Sequence, residues 1–161
     1  MFFKITWWFD ILNTTYESKT LVNNNSTEIK LKQVTKNDFR FLYKLLLERN
    51  PVANISHKKM PTYDEHVKFV TSKPYLRWYV VFYNGKKSGS SYLTRQNEIG
   101  IFVKKELQGK GIGSQILELV MEKNGPGRYL ANISPKNKKS IKFFKNHGFD
   151  LIQYTYELIK S

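Results

Sequence analysis

The chain has 161 residues, a formal net charge of +14 and no cysteine. That length suits one compact domain and is short for two, and the missing thiols exclude disulfides, thiolate-held metals and cysteine nucleophiles. So large a positive charge points to an acidic partner: nucleic acid, an anionic membrane face or a phosphorylated small molecule.

Residues 1–27 read as an appendage that carries Phe2, Phe3, Trp7, Trp8, Phe9 and Ile11 and ends in the Asn-rich linker TLVNNNST. Lys4 and Asp10 interrupt its apolar run and no small-residue cleavage site follows, so a signal peptide is not expected. Nor does any apolar run reach the roughly 18–20 residues that a bilayer requires. The expectation is a soluble, cytoplasmic protein whose aromatic appendage packs on the domain or meets a second copy in a homodimer.

The main domain is expected over residues 28–161. EIKLKQV alternates as a strand. Asn37 or Asp38 opens a helix with an apolar stripe of Phe39, Leu42, Leu45 and Leu46, and Pro51 ends it. Thr62 caps a second helix, with Glu65 at the capping-box position. RWYVVFY and SGSSYLT are strands joined at Asn84-Gly85, a strong hairpin signal. EIGIFV is a strand, GIGSQILELVMEK a helix and RYLANIS a strand. NKKSIKFFKNH is a helix closed by Gly148, and DLIQYTYEL is a last strand. The order β-α-α-β-β-β-α-β-α-β predicts an α/β mixed sheet with helices on its faces.

The segment QGKGIGS, between a strand and a helix, carries the chemistry. A Walker A loop fails because Lys110 sits between glycines. The dinucleotide fingerprint fails because the pattern is G-x-G-x-G and the residue downstream is Asn132, not an acid. What remains is a turn stripped of Cβ atoms, where successive N–H groups converge on an anion at a helix N-terminus. A pyrophosphate is a suitable guest.

Gln108, Gly111 and Gly113, placed after EIGIFV, form a pattern that resembles the signature of the GNAT superfamily of acyl-CoA-dependent N-acyltransferases. A second block, ISPKNKKSIKFFKNHGF, resembles that family's next motif, with Asn137, Gly148 and Phe149 on its marked positions. The resemblance spans residues 28–160. It implies a largely antiparallel sheet of about six to seven strands flanked by about four helices, with acetyl-CoA as cofactor. The pyrophosphate would lie on the amides of Gln108, Gly109, Lys110, Gly111, Ile112, Gly113 and Ser114. The pantetheine arm would follow the Phe102–Val103 edge, with Asn137, Lys139 and Phe144 as further cofactor positions. The many lysines between Glu122 and Asp150 suit a polyphosphate.

Acetyl transfer needs a neutral amine, a near thioester carbon and a donor for the developing oxyanion. The resemblance implies Glu98 as base and the Val103 N–H as the carbonyl donor. The family's usual tyrosine acid is replaced by Phe144, which has no proton to give; Tyr154 and Tyr156 are the substitutes at hand. RNPVANISHKKMPTYDEHVKFV resembles the acceptor segment of N-acetyltransferases acting on nucleotide-linked amino sugars, through Arg49, Ile55-Ser56 and Glu65-His66. Arg49, Ser56 and His57 are therefore the expected acceptor contacts, and His57 an alternative base. His66 itself is expected to pack. Protein or ribosomal N-termini, a small antibiotic or a polyamine are the competing acceptors, and the +14 charge disfavours the polycationic ones. A non-catalytic acyl-CoA sensor and an RNA-binding module remain outside that class. The aromatics of KPYLRWYVVFYNGKK alternate as core-facing strand residues should, which disfavours RNA.

Overall fold

The computed structural model describes residues 28–49, 59–158 and 160. Four strands form one antiparallel sheet in chain order: β1 (Ile29–Gln33), β2 (Arg77–Tyr83), β3 (Lys86–Leu93) and β4 (Ile99–Val103). Asn84 and Gly85 take positive φ values of 47° and 76°, the mirror-image turn that matches strand twist and joins β2 to β3. The Asn84 side-chain oxygen also accepts from the Glu28 N–H at 3.0 Å, tying in the start of β1.

Alternation along the strands gives the sheet two faces. On one, Tyr79, Val81, Leu93, Ile99 and Val103 meet α3 (Ile112–Asn124), whose Ile112, Ile116, Leu117 and Val120 are fully or almost fully buried. Each such burial contributes about 1.5–3 kcal/mol. Phe144 of α4 (Lys138–Asn146) closes this cluster. The other face carries Val80, covered by Leu42 of α1 (Phe39–Leu47) and Val70 of α2 (Tyr63–Thr71), with Trp78 and Phe82 packed alongside.

Local chemistry sets the helix ends. Thr62 caps α2: its hydroxyl accepts from the Glu65 N–H at 3.3 Å, and the Glu65 carboxylate accepts from the Thr62 N–H at 2.7 Å. Asp38 immediately precedes α1, as the sequence predicts, but its side chain makes no cap bond to that helix. Thr35 precedes a 3-10 turn over Lys36–Asp38, and Asp38 accepts from the Thr35 N–H at 2.8 Å. Asp38 is buried and ion-paired with Lys87 of β3 at 2.6 Å, so a contact distant in sequence recruits it. Burial alone would raise its pKa; the Lys87 and Thr35 bonds carry it below the ordinary carboxylate value. Gly148 closes α4 at φ 79°, with the Phe149 N–H donating to the Phe144 carbonyl at 3.1 Å.

Two expected strands are corrected. RYLANIS contributes only a parallel bridge, Leu130 to Glu98, with the Ile99 N–H donating to the Leu130 carbonyl at 2.8 Å. Tyr129, Ala131 and Ile133 then anchor the segment by packing on the core instead of by a ladder. Residues 151–158 form no strand, and Leu151, Ile152, Tyr154, Tyr156 and Leu158 are exposed. A two-residue alternation becomes a strand only where an edge is offered, and the segment expected to offer it is itself unladdered. Among the described residues the sheet therefore has four strands, not six to seven. The appendage of residues 1–27, and with it the expected dimer contact, lies outside the described residues, as do Ile55, Ser56 and His57. No helix among the described residues is long and apolar enough to cross a membrane.

His66, on α2, is packing as expected, at 5% exposure beside Tyr43 of α1 with ring centroids 5.4 Å apart. Its Nε2 is buried without a partner among the described residues. Burial holds its pKa below the ordinary histidine value, although a bond to the Phe39 backbone pulls the other way. Below about pH 6.5 the unfolded chain therefore takes up a proton that the folded one refuses, and stability falls with acidification until the lowered folded pKa is passed. Urea unfolding at pH 7.5 and 5.5 is expected to show a larger loss in the wild type than in His66→Leu; equal losses would remove His66 from the acid response.

Candidate active site

β4 leads into the glycine segment through a 3-10 turn over Lys105–Leu107. The Gln108 side-chain amide then reaches back to the Val103 carbonyl at 2.9 Å, fixing the loop to the strand it left. Gly109 and Gly111 take φ values of 79° and 76°, a left-handed conformation that costs any residue with a Cβ. A Cβ at either position would meet nothing within 4 Å. Glycine is thus required here by backbone conformation, and the space beside it stays open. Gly113 has a different reason: a Cβ there would come within 3.3 Å of Phe143, so its absence lets α4 lie against the start of α3.

The N–H groups of Gly109, Lys110, Gly111, Ile112 and Gly113 have no acceptor among the described residues; the first in this stretch to find one is Ser114, which donates to the Gly111 carbonyl at 3.2 Å. Consecutive unpaired donors at the mouth of a 13-residue helix make a cradle for an anion. Buried Ile112 anchors it, while Gln108 through Gly111 are exposed. Lys110 adds a positive side chain to the same loop.

The free edge of β4 has a definite register. The Ile99 N–H and the Val103 carbonyl both point away from β3, to Leu130 and Gln108, while the Lys104 N–H points to β3. In an antiparallel ladder a residue's N–H and C=O share a side, and the side alternates. Ile101 and Val103 therefore present their backbone at the open edge beyond the Glu98–Leu130 bridge. Phe102 presents its backbone to β3, where it pairs with Ser90. This corrects the expected Phe102–Val103 edge: its backbone groups belong to Ile101 and Val103, and Ile101 was missed because strand register cannot be read before the partner is known.

Glu98 sits at the start of β4, half-buried and held from two sides. Asn132 Nδ2 donates to one carboxylate oxygen at 2.6 Å, and the Thr94 hydroxyl donates to the other at 3.1 Å. Thr94 also accepts from the Glu98 N–H at 3.0 Å. Each oxygen keeps a lone pair, so the group can accept a proton in a fixed orientation.

Arg49 follows α1, and its charge acts on Tyr75 and on Tyr92 of β3, both of them also near the start of β4. Neither tyrosine is singled out by the sequence. Asn137 is committed to the cap of α4, its side-chain oxygen accepting from the Ser140 N–H at 3.1 Å. Lys139 is exposed in the first turn of that helix. Phe144 is 8% exposed within the core and edge-on to Phe143 and Phe149, so it packs there. Tyr154 is 75% exposed on the unladdered tail and makes no hydrogen bond or ring contact with Glu98. The structure does not bring the substitute acid to the base.

With this geometry in hand, residues 74–151 match the family model described as an acetyltransferase (GNAT) domain. Comparison with curated proteins finds no match. Among solved structures, a domain from Methanocaldococcus jannaschii superposes with a TM-score of 0.70 at 27% identity, over 81% of this chain and 94% of that one. An aminoglycoside N-acetyltransferase in complex with CoA gives 0.65 at 17% identity, over 83% and 95%. The ribosomal L7/L12 alpha-N-protein acetyltransferase RimL, in complex with coenzyme A, gives 0.62 at 19%, over 80% and 83%. The matched span runs from the approach to β2 past the end of α4, and so includes the glycine cradle, the free edge of β4 and Glu98. The similarity of those residues to a GNAT acetyltransferase domain supports a transferase enzyme.

Proposed function

We propose that the protein transfers an acetyl group from acetyl-CoA directly to a primary amine, with an amino sugar or nucleotide-linked amino sugar as acceptor. The observation that carries the cofactor reading is the run of unpaired N–H groups from Gly109 to Gly113. A pyrophosphate supplies acceptors for several of them at once, at the positive end of α3. Ile101 and Val103 offer backbone groups to an extended amide chain such as pantetheine, and the Val103 N–H is the donor for the thioester carbonyl.

The cofactor, when bound, supplies an acetyl group activated as a thioester. Binding in the cradle fixes the donor's position, so that an amine held near Glu98 meets the carbonyl as in an intramolecular reaction. Asn132 and Thr94 orient the Glu98 carboxylate, which takes the amine proton directly or through one water. Neither Phe144 nor Tyr154 serves as a proton donor in this arrangement. The acceptor reading draws on Arg49 and on charge. Lys4, Lys19, Asp10 and Glu17 cancel within residues 1–27, so the whole +14 belongs to residues 28–161. A polycationic amine is repelled by such a field, and a phosphorylated one is drawn in.

Two outcomes are expected. Gly111→Glu puts a Cβ where φ is 76° and a carboxylate into the anion cradle, so acetyl-CoA affinity by calorimetry should fall at least a hundredfold; an unchanged affinity would contradict the cradle. Glu98→Gln should lower kcat by tenfold or more, measured as thiol release with an amino-sugar nucleotide, while the acetyl-CoA dissociation constant moves less than threefold. Wild-type turnover by the variant would remove Glu98 from the reaction.

A further inference from the structure

Tyr92 pairs across the sheet with Gly100 of β4, and its ring lies over that glycine. A Cβ on Gly100 would come 2.1 Å from Cζ of Tyr92 and 2.5 Å from its hydroxyl oxygen. The polar end of the ring, and not its middle, therefore sits above the Gly100 backbone. Tyr75 stacks on the ring at 3.9 Å between centroids with 5° between planes. Trp78 meets Tyr75 edge-on at 4.8 Å and donates its Nε1–H to Ser90 at 2.8 Å. The phenol is locked between a strand and a stack.

An aromatic ring laid over a cross-strand glycine is a known way to stabilise a sheet. That role needs the ring alone. The hydroxyl is the part it leaves unexplained. Glu98 lies two residues before Gly100 and so shares its face of the sheet, the face that Tyr92 covers. The spacing along the strand is about 6.6 Å. With Tyr75 stacked on its ring, Tyr92 carries its hydroxyl over the Gly100 backbone, on the face that Glu98 shares. Burial first of all pushes the Tyr92 pKa up, with Arg49 opposing and Glu98 reinforcing, so the hydroxyl stays protonated at working pH. The result is a neutral hydroxyl, held by the stack on its ring and within reach of the charges of Arg49 and Glu98.

We propose that Tyr92 is an acceptor-binding residue, whose hydroxyl donates a hydrogen bond to an oxygen on the carbon next to the amine that faces Glu98. The preferred acceptors are then vicinal amino alcohols, the grouping that amino sugars carry, over amines without the neighbouring oxygen. The inference rests on the reading of Glu98 as the group that takes the amine proton. A buried donor built for a substrate oxygen penalises the analogue lacking it, because the donor is left unpaired.

The test compares trans-2-aminocyclohexanol with cyclohexylamine as acetyl acceptors, measured by thiol release. The wild type is expected to favour the amino alcohol at least tenfold in kcat/KM. Tyr92→Phe keeps the ring and its stack, so its melting temperature should stay within about 2 °C of the wild type while the preference collapses towards unity. Glu98→Gln should slow both amines and keep the preference. An arm that needs no turnover is saturation-transfer NMR of the amino alcohol with the coenzyme-A-loaded protein, whose signal should weaken in Tyr92→Phe. Absence of preference in the wild type, its retention in Tyr92→Phe, or equal NMR signals from both proteins would overturn the proposal. Loss of preference in Tyr92→Phe with full turnover by Glu98→Gln would sink the base and leave the Tyr92 contact standing.

Discussion

A short stretch of backbone with nowhere to place its hydrogen bonds governs this molecule. From Gly109 to Gly113 the N–H groups find no acceptor among the described residues, and the chain holds this conformation by several independent devices. The Gln108 side chain grips the Val103 carbonyl, two glycines adopt left-handed conformations, and Ile112 is sunk into the core. Each device costs conformational freedom that a simple turn would keep. Unpaired donors near a packed helix end are tolerated because they are exposed to water, and an anion satisfies them better than water does. The core cluster under α3 is what makes that arrangement rigid.

β4 connects the cradle to the chemistry. Its start is closed by the Leu130 bridge, and beyond it the Ile101 backbone and the Val103 N–H lie at the open edge, while the Val103 carbonyl accepts from Gln108. One face of the strand carries Ile99, Ile101 and Val103 against α3; the other carries Glu98 and Gly100 beneath Tyr92. A single strand thus offers a docking edge for an extended chain, a fixed carboxylate and a glycine that admits an aromatic ring. The spacing of these features is set by strand geometry, which is why small slips in register would separate them.

What the sequence made legible was local. The Asn84-Gly85 turn, the Thr62–Glu65 capping box, the glycine segment and Gly148 each depend on backbone conformations or on contacts a few residues apart. Asp38 was read as a helix cap, because the pull of Lys87, remote in sequence, leaves no local signal. RYLANIS and DLIQYTYEL alternate as strands should, yet one is held by side-chain packing after a lone bridge and the other finds no edge. The site divides in the same way. Gln108 and the glycines stand where expected, and Glu98 is held by the side chains around it. Ile101 took the place of Phe102 through strand parity, and Tyr75 and Tyr92 emerged only once β3 lay beside β4. Phe144 turned out to be a core residue, as its aromatic neighbours at 143 and 149 hint.

The central claim is that the amides of the cradle bind the diphosphate of coenzyme A, and amide NMR reads those atoms directly. Titrating the nitrogen-15-labelled protein with coenzyme A should shift the Gly109, Lys110, Gly111, Ile112 and Gly113 resonances downfield, together with those of Ile101 and Val103. Amides of β1, on the far edge of the sheet, should stay in place. Saturable shifts that leave residues 109–113 unmoved and cluster elsewhere would contradict the account.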